Sequence, residues 1–250
     1  MSETRIGIAG QGGFIYSNPS LPGSCFLINQ EGPLTIFDTG YNTYTTAKRM
    51  KGWDLKNCRR IVITHGHFDH IADIIAFVHG IQKLHEKQYG YCENIEILGP
   101  GGIGEVITLA LGLAGEPGFI PNITVREGPG TYGDATMFRI EHGPIESLAV
   151  VLRGNREIMY TGDINKSPNN LEAIIRTSLE PHTIIAEATE PNNEWHIDIK
   201  GAKKIMQAGD FKGMIVGHTR RRHKAAVQKV CEASGGKITA ARRDQTITIR

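Results

Sequence analysis

The segment Ile61-Val62-Ile63-Thr64-His65-Gly66-His67-Phe68-Asp69-His70 places three imidazoles and a carboxylate within six residues, directly behind an apolar run. No other feature narrows the fold as tightly. Imidazole nitrogens and carboxylate oxygens are ligand atoms for divalent transition metals, and their crowding is costly unless a cation or a hydrogen-bond network takes them up. The apolar run reads as a buried strand, so the polar loop leaves from a rigid strand end. Gly66 is expected to permit a tight turn. His65 and His67 could then converge on one ion while Asp69 and His70 turn toward another. A chain carrying this loop needs a scaffold that brings further side chains to a strand end.

The remaining pattern offers such a scaffold. Short β-type runs end in glycine or polar turns at residues 5–9, 25–29, 34–37 and 61–64. Helical periodicity follows over 71–89, where Ile71, Ile74, Ile75 and Val78 share a face, and over 103–113. A second strand-rich block spans 122–160. After it come a helix at 171–179, a strand at 183–186, a helix at 199–208, a strand at 214–216, a helix at 224–233 and a strand at 246–249. Strands followed by helices thus occur twice, with no linker between them. We read residues 1–250 as a single α/β domain, compatible with two sheets packed face to face and covered by helices on the outside.

The order H-x-H-x-D-H resembles that of the metallo-β-lactamase superfamily, whose fold is an αββα sandwich. The resemblance implies further ligands downstream, and His142, Asp163 and His218 stand in the right order at strand ends. It implies one site of His65, His67 and His142, a second of Asp69, His70 and His218, and Asp163 bridging the two. Two divalent metal ions per chain follow, zinc or manganese. Asp38, in Thr35-Ile36-Phe37-Asp38-Thr39-Gly40, matches the family's first acidic motif, which supports the metal loop without binding metal. His79 and His85 are most simply solvent-facing, and His182 and His223 flank predicted elements.

Residues outside this set point to one branch. Ile184-Ile185-Ala186-Glu187-Ala188-Thr189, with His196 nine positions after Glu187, resembles the H-E-A-T motif and later histidine of RNase Z, although Ala186 replaces that motif's first histidine. The resemblance implies that Glu187 orients His196, that His196 protonates the leaving oxygen, and that Asp69 orients the attacking water. It extends over 142–149 and 217–222 and implies Ser147 and Arg222 as substrate contacts. It also implies a homodimer. RNase Z carries a long tRNA-gripping arm between the third histidine and the bridging aspartate, but only 21 positions separate His142 from Asp163 here, room for a hairpin. The chain therefore looks like the compact RNase Z-like cyclic-nucleotide phosphodiesterases, among them the phage anti-Pycsar proteins that remove immune signals. Its expected substrate is a small phosphodiester, a 3′,5′-cyclic mononucleotide, and no extended nucleic acid. The alternatives are a tRNA 3′ endonuclease and a non-catalytic cyclic-nucleotide-binding protein.

Charge agrees with a small substrate: 28 Lys plus Arg against 26 Asp plus Glu leave +2, too little for a broad field along a polynucleotide. The four cysteines form no C-x-x-C pair and read as reduced, packed thiols. The Met1 to Arg5 start lacks an apolar signal stretch, and no membrane-spanning run follows, so the expected location is cytoplasmic.

Overall fold

Along the central strands both side-chain parities are apolar, and the two parities belong to different layers. In the computed structural model, which describes residues 3–12, 22–30, 32–114, 121–178, 181–189 and 193–249, these strands form two seven-stranded sheets. The first contains β1 (Thr4–Gln11), β2 (Ser24–Gln30), β3 (Leu34–Phe37), β4 (Cys58–Val62), β5 (Ile95–Gly99) and β6 (Ile123–Glu127), in that order, with β14 (Gln245–Ile249) beside β1. The second contains β7 (Gly130–Tyr132), β8 (Ala135–His142), β9 (Ile145–Leu152), β10 (Glu157–Tyr160), β11 (Pro181–Glu187), β12 (Gly213–Gly217) and β13 (Ile238–Ala240). Each sheet is antiparallel up to its middle strand, β3 or β10, and parallel beyond it.

Phe26, Ile28, Phe37, Val62 and Leu98 of the first sheet meet Leu148, Val150, Ile158, Tyr160, Ile185 and Ile215 of the second in one inner core. Alternate residues face outward. Leu27, Ile36, Ile61 and Ile97 pack under α1 (Thr43–Arg49), α3 (Ile74–Tyr89) and α4 (Ile103–Ala114). Val151, Met159, Ile184 and Val216 pack under α5 (Pro168–Thr177), α6 (Ile199–Ala208) and α7 (Lys224–Ala233). The expected αββα layering is what forms, and the parallel strands of both sheets end along the same rim. Among the described residues, no helix is long and apolar enough to cross a membrane.

Several local expectations need correction. The helix expected over 71–89 is divided into α2 (Phe68–Ile71) and α3. Between them the Asp73 N–H donates to the Thr39 carbonyl at 2.7 Å, and the Asp73 carboxylate accepts from the Tyr44 N–H at 2.9 Å. These bonds tie the metal loop to the β3–α1 connection and override continuous helix. His85 is fully buried, not solvent-facing, with Nε2 2.8 Å from the Lys56 carbonyl. Gly66 has neither a positive φ nor a close neighbour, so the loop does not require glycine there. All four cysteines are free, with Cys25 and Cys58 buried.

Candidate metal centre

Strand ends deliver the site. Asp38 follows β3, His65 follows β4, His142 ends β8, Asp163 follows β10, Glu187 ends β11 and His218 follows β12. Residues between β4 and α2 are pinned on both sides: the Ile63 N–H donates to the Leu98 carbonyl at 2.8 Å, and the Leu148 N–H to the Thr64 carbonyl at 3.0 Å. The second bond crosses from one sheet to the other.

His65, His67, His142 and Asp163 each present a ligand atom, and these atoms lie within 4.8 Å of one another. Asp69, His70 and His218 form a second such group, and Asp163, Glu187, His196 and His218 a third. In the first, His67 Nδ1 lies 3.1 Å from His65 Nε2 and 3.3 Å from His142 Nε2. In the second, His218 Nε2 lies 3.0 Å from Asp69 Oδ2, and His70 Nε2 lies 3.8 Å from the same oxygen. Asp163 stands between them: Oδ2 is 4.0 Å from His65 Nε2 and 3.3 Å from His218 Nε2, while Oδ1 is 3.5 Å from His70 Nε2.

The far nitrogens are also committed, which fixes ring orientation. Asp38 accepts from His70 Nδ1 at 2.7 Å, from the Thr64 N–H at 2.8 Å and from the Tyr160 hydroxyl at 2.6 Å. His142 Nδ1 donates to the Trp195 carbonyl at 2.7 Å. His218 Nδ1 meets the Thr189 hydroxyl at 2.8 Å, and that hydroxyl donates to Glu187. Glu187 takes the Ile164 N–H on Oε1 and His196 Nδ1 on Oε2, both at 2.7 Å. Glu187 thus anchors His196 directly and His218 through Thr189. Sequence reasoning assigned no role to Thr189, Tyr160 or Trp195, although Thr189 and Tyr160 stood in recognised motifs.

Burial dominates the electrostatics. It pushes His142 down to about 4 and His65 well below the ordinary imidazole range, the latter with help from His70. Burial also opposes charge on His70 and His218, but the carboxylates prevail: Asp163, Asp38 and Asp69 hold His70 well above its usual range, and Asp163 and Asp69 raise His218 to about 9. Burial would raise Asp163, yet His218 and His70 hold it well below the usual carboxylate range. The site therefore sets clustered negative charge against protons on two imidazoles.

A divalent cation fits these residues. His70 Nε2 and Asp163 Oδ1 are buried and face each other at 3.5 Å without forming a well-aligned hydrogen bond, although such atoms cost about 1–3 kcal/mol when left unpaired. Both belong to the cation-facing groups, and the nitrogen and oxygen donor set suits zinc or manganese. Of the two expected substrate contacts, Ser147 is 1% exposed with Oγ 3.5 Å from the Asp163 carbonyl. Arg222 is exposed on the 3-10 turn Arg221–His223, with Nε 3.2 Å from His223 Nε2.

Comparison with known proteins accords with this geometry, since a sequence model described as the metallo-beta-lactamase superfamily matches residues 19–194. The chain belongs to the metallo-β-lactamase superfamily. Solved superfamily folds superpose over nearly its whole length. Human tRNase Z, short form, aligns with a TM-score of 0.77 at 20% identity, covering 98% of this chain and 99% of its own. YhfI from Bacillus subtilis aligns with a TM-score of 0.76 at 15% identity, covering 100% of both chains. A diphosphatase from the PhnP family aligns with a TM-score of 0.69 at 15% identity, covering 99% of this chain and 98% of its own. At these identities the likeness carries the fold. No curated protein matches the chain.

Proposed function

We propose that this superfamily member is a metal-dependent phosphodiesterase that hydrolyses a small phosphodiester, a 3′,5′-cyclic mononucleotide, to the nucleoside monophosphate. The observation that carries the reading is the Glu187–His196 pair: His196 Nδ1 sits 2.7 Å from Glu187 Oε2 and 3.6 Å from Asp163 Oδ2, so a carboxylate-held imidazole borders the cation-facing atoms. A thioester hydrolase, whose thiolate departs without a proton, needs no such donor. The short connection supports a small substrate. From His142 the chain reaches Asp163 through β9, a turn at 153–156 and β10, leaving no place for a tRNA-gripping arm.

His65, His67 and His142 would hold one cation, Asp69, His70 and His218 a second, with Asp163 between them. Bound there, the cations would neutralise charge developing on the phosphoryl oxygens and lower the pKa of water. Asp69 would orient the attacking water. Held at Nδ1 by Glu187, His196 would donate the proton of its other ring nitrogen to the ribose oxygen as the phosphorus–oxygen bond breaks. Arg222 would contribute to phosphate binding.

A substrate panel tests the proposal: cyclic mononucleotides, cyclic dinucleotides, pre-tRNA, a lactone and a thioester, each with and without added zinc or manganese. Metal-dependent opening of a cyclic mononucleotide is expected. Efficient pre-tRNA trimming without cyclic-nucleotide turnover would favour the endonuclease reading. Nucleotide binding without turnover of any substrate would favour a binding protein.

A further inference from the structure

Trp195 immediately precedes His196 and is tied to the opposite side of the site by its own backbone. Its carbonyl accepts from His142 Nδ1 at 2.7 Å, and its N–H donates to Asn193 Oδ1 at 2.9 Å. The indole lies against Gly143, whose φ is +58°; a Cβ at that position would come within 3.3 Å of the ring. One side of the ring is thus supported by glycine backbone, yet 47% of the residue remains exposed. A large apolar ring fixed at both backbone polar groups and left in water is a surface prepared for a planar ligand. The other exposed aromatics among the described residues suit the task less well. Phe68 stacks on Tyr41 with centroids 5.9 Å apart, and Tyr89 and Tyr91 lie at the far end of α3.

We propose that Trp195 is a specificity-determining residue whose indole stacks on the nucleobase of the substrate. The inference rests on the cyclic-nucleotide reading above. His196 and Trp195 both adjoin His142, whose ring centroid is 4.8 Å from that of His196 and whose Nδ1 donates to the Trp195 carbonyl, so a leaving ribose oxygen placed at His196 would put the attached base on the Trp195 side. Stacking tolerates every base, so the platform would select for nucleotides over other phosphodiesters without selecting strongly among bases.

The test compares wild type, Trp195→Ala and Trp195→Phe on adenosine 3′,5′-cyclic monophosphate and on its abasic counterpart, in which hydrogen replaces the base. Trp195→Ala is expected to lower kcat/KM for the nucleotide roughly 10- to 100-fold, mainly through KM. Trp195→Phe should recover most of that loss. Turnover of the abasic compound should change far less, and metal content should be retained in both variants. A second readout does not need turnover. The chain has two tryptophans, and Trp53 is 8% exposed with Nε1 bonded to Thr246, so quenching by adenosine monophosphate should disappear in Trp195→Phe. Equal losses on both cyclic compounds, or fluorescence unmoved by saturating adenosine monophosphate, would overturn the proposal. Failure of the underlying reading looks different: wild type would open neither cyclic compound, and the quenching experiment would still decide whether Trp195 stacks.

Discussion

Asp38 adopts a left-handed backbone conformation, φ 56°, that a non-glycine residue takes only at a cost of about 1–3 kcal/mol. Its bonds from Thr64, Tyr160 and His70 hold it there, and the result is a fixed His70 ring whose Nε2 faces the cation site. His218, at φ 47°, is constrained in the same way through Thr189. Because neighbouring carboxylates raise His218 to about 9 and His70 well above its ordinary range, both carry protons at neutral pH. A cation must displace those protons. The sign follows: uptake of zinc or manganese should release protons, and affinity should fall steadily as pH drops below about 9. Calorimetry in buffers of different ionisation enthalpy measures the release, and a buffer-independent enthalpy would contradict it. At His196 the expectation concerns the chemical step alone. His196→Ala should slow opening of a cyclic nucleotide by about 10²–10⁴-fold while metal content stays nearly constant. Bis-nitrophenyl phosphate, whose leaving group needs little protonation, should be affected much less. Loss of metal together with activity would reassign His196 to cation binding or folding.

Strand ends rather than helices carry the site, so their backbone geometry is the vulnerable part. Gly162, between β10 and Asp163, has φ +57°, and a Cβ there would stand 2.7 Å from Thr64 Oγ1, a hydroxyl bonded to Asp38. Gly162→Ala should therefore cost more than about 1 kcal/mol and weaken cation binding. Gly66→Ala, with nothing within 4 Å of the added carbon, should cost little. Denaturant midpoints of the two variants check the contrast, and similar values would refute it. The same elements show what could be read in advance. The metal loop was legible because His65, His67, Asp69 and His70 are contiguous, and α6 and α7 matched their apolar periodicity to the residue. Helix α1 was not, because Thr43, Thr45 and Thr46 are poor helix formers and Asn42 makes no side-chain cap. It is held by burial of Thr43 and Ala47 against the first sheet. Strands β5 and β13 are short, so no alternation announced them. The Thr189 bridge between His218 and Glu187 joins residues far apart in sequence and exists only once β11 and β12 lie side by side.

At the scale of the whole molecule, the centre is assembled from two sheets, each incomplete alone. The first supplies Asp38 and the loop from His65 to His70; the second supplies His142, Asp163, Glu187 and His218. Phe37 and Tyr160 join them, their rings stacked with centroids 5.4 Å apart directly beneath the site. The surface around this centre bears on substrate size. Net charge is +2, and several arginines are already paired: Arg59 with Glu93, Arg60 with Glu96 and Asp134, and Arg139 with Glu146. A protein gripping a polynucleotide through six to ten phosphates loses about 10³–10⁵ in affinity between 50 and 200 mM salt. A cyclic mononucleotide has one phosphate. If one phosphate is neutralised, the slope of log kcat/KM against log salt should lie near −0.9 or shallower, about a threefold fall over the same range. Measuring kcat/KM at subsaturating substrate from 50 to 200 mM potassium chloride, with zinc or manganese held saturating, gives that slope directly. A value several-fold steeper would mean that many basic residues follow an extended backbone, and the endonuclease reading would then displace the small-substrate one.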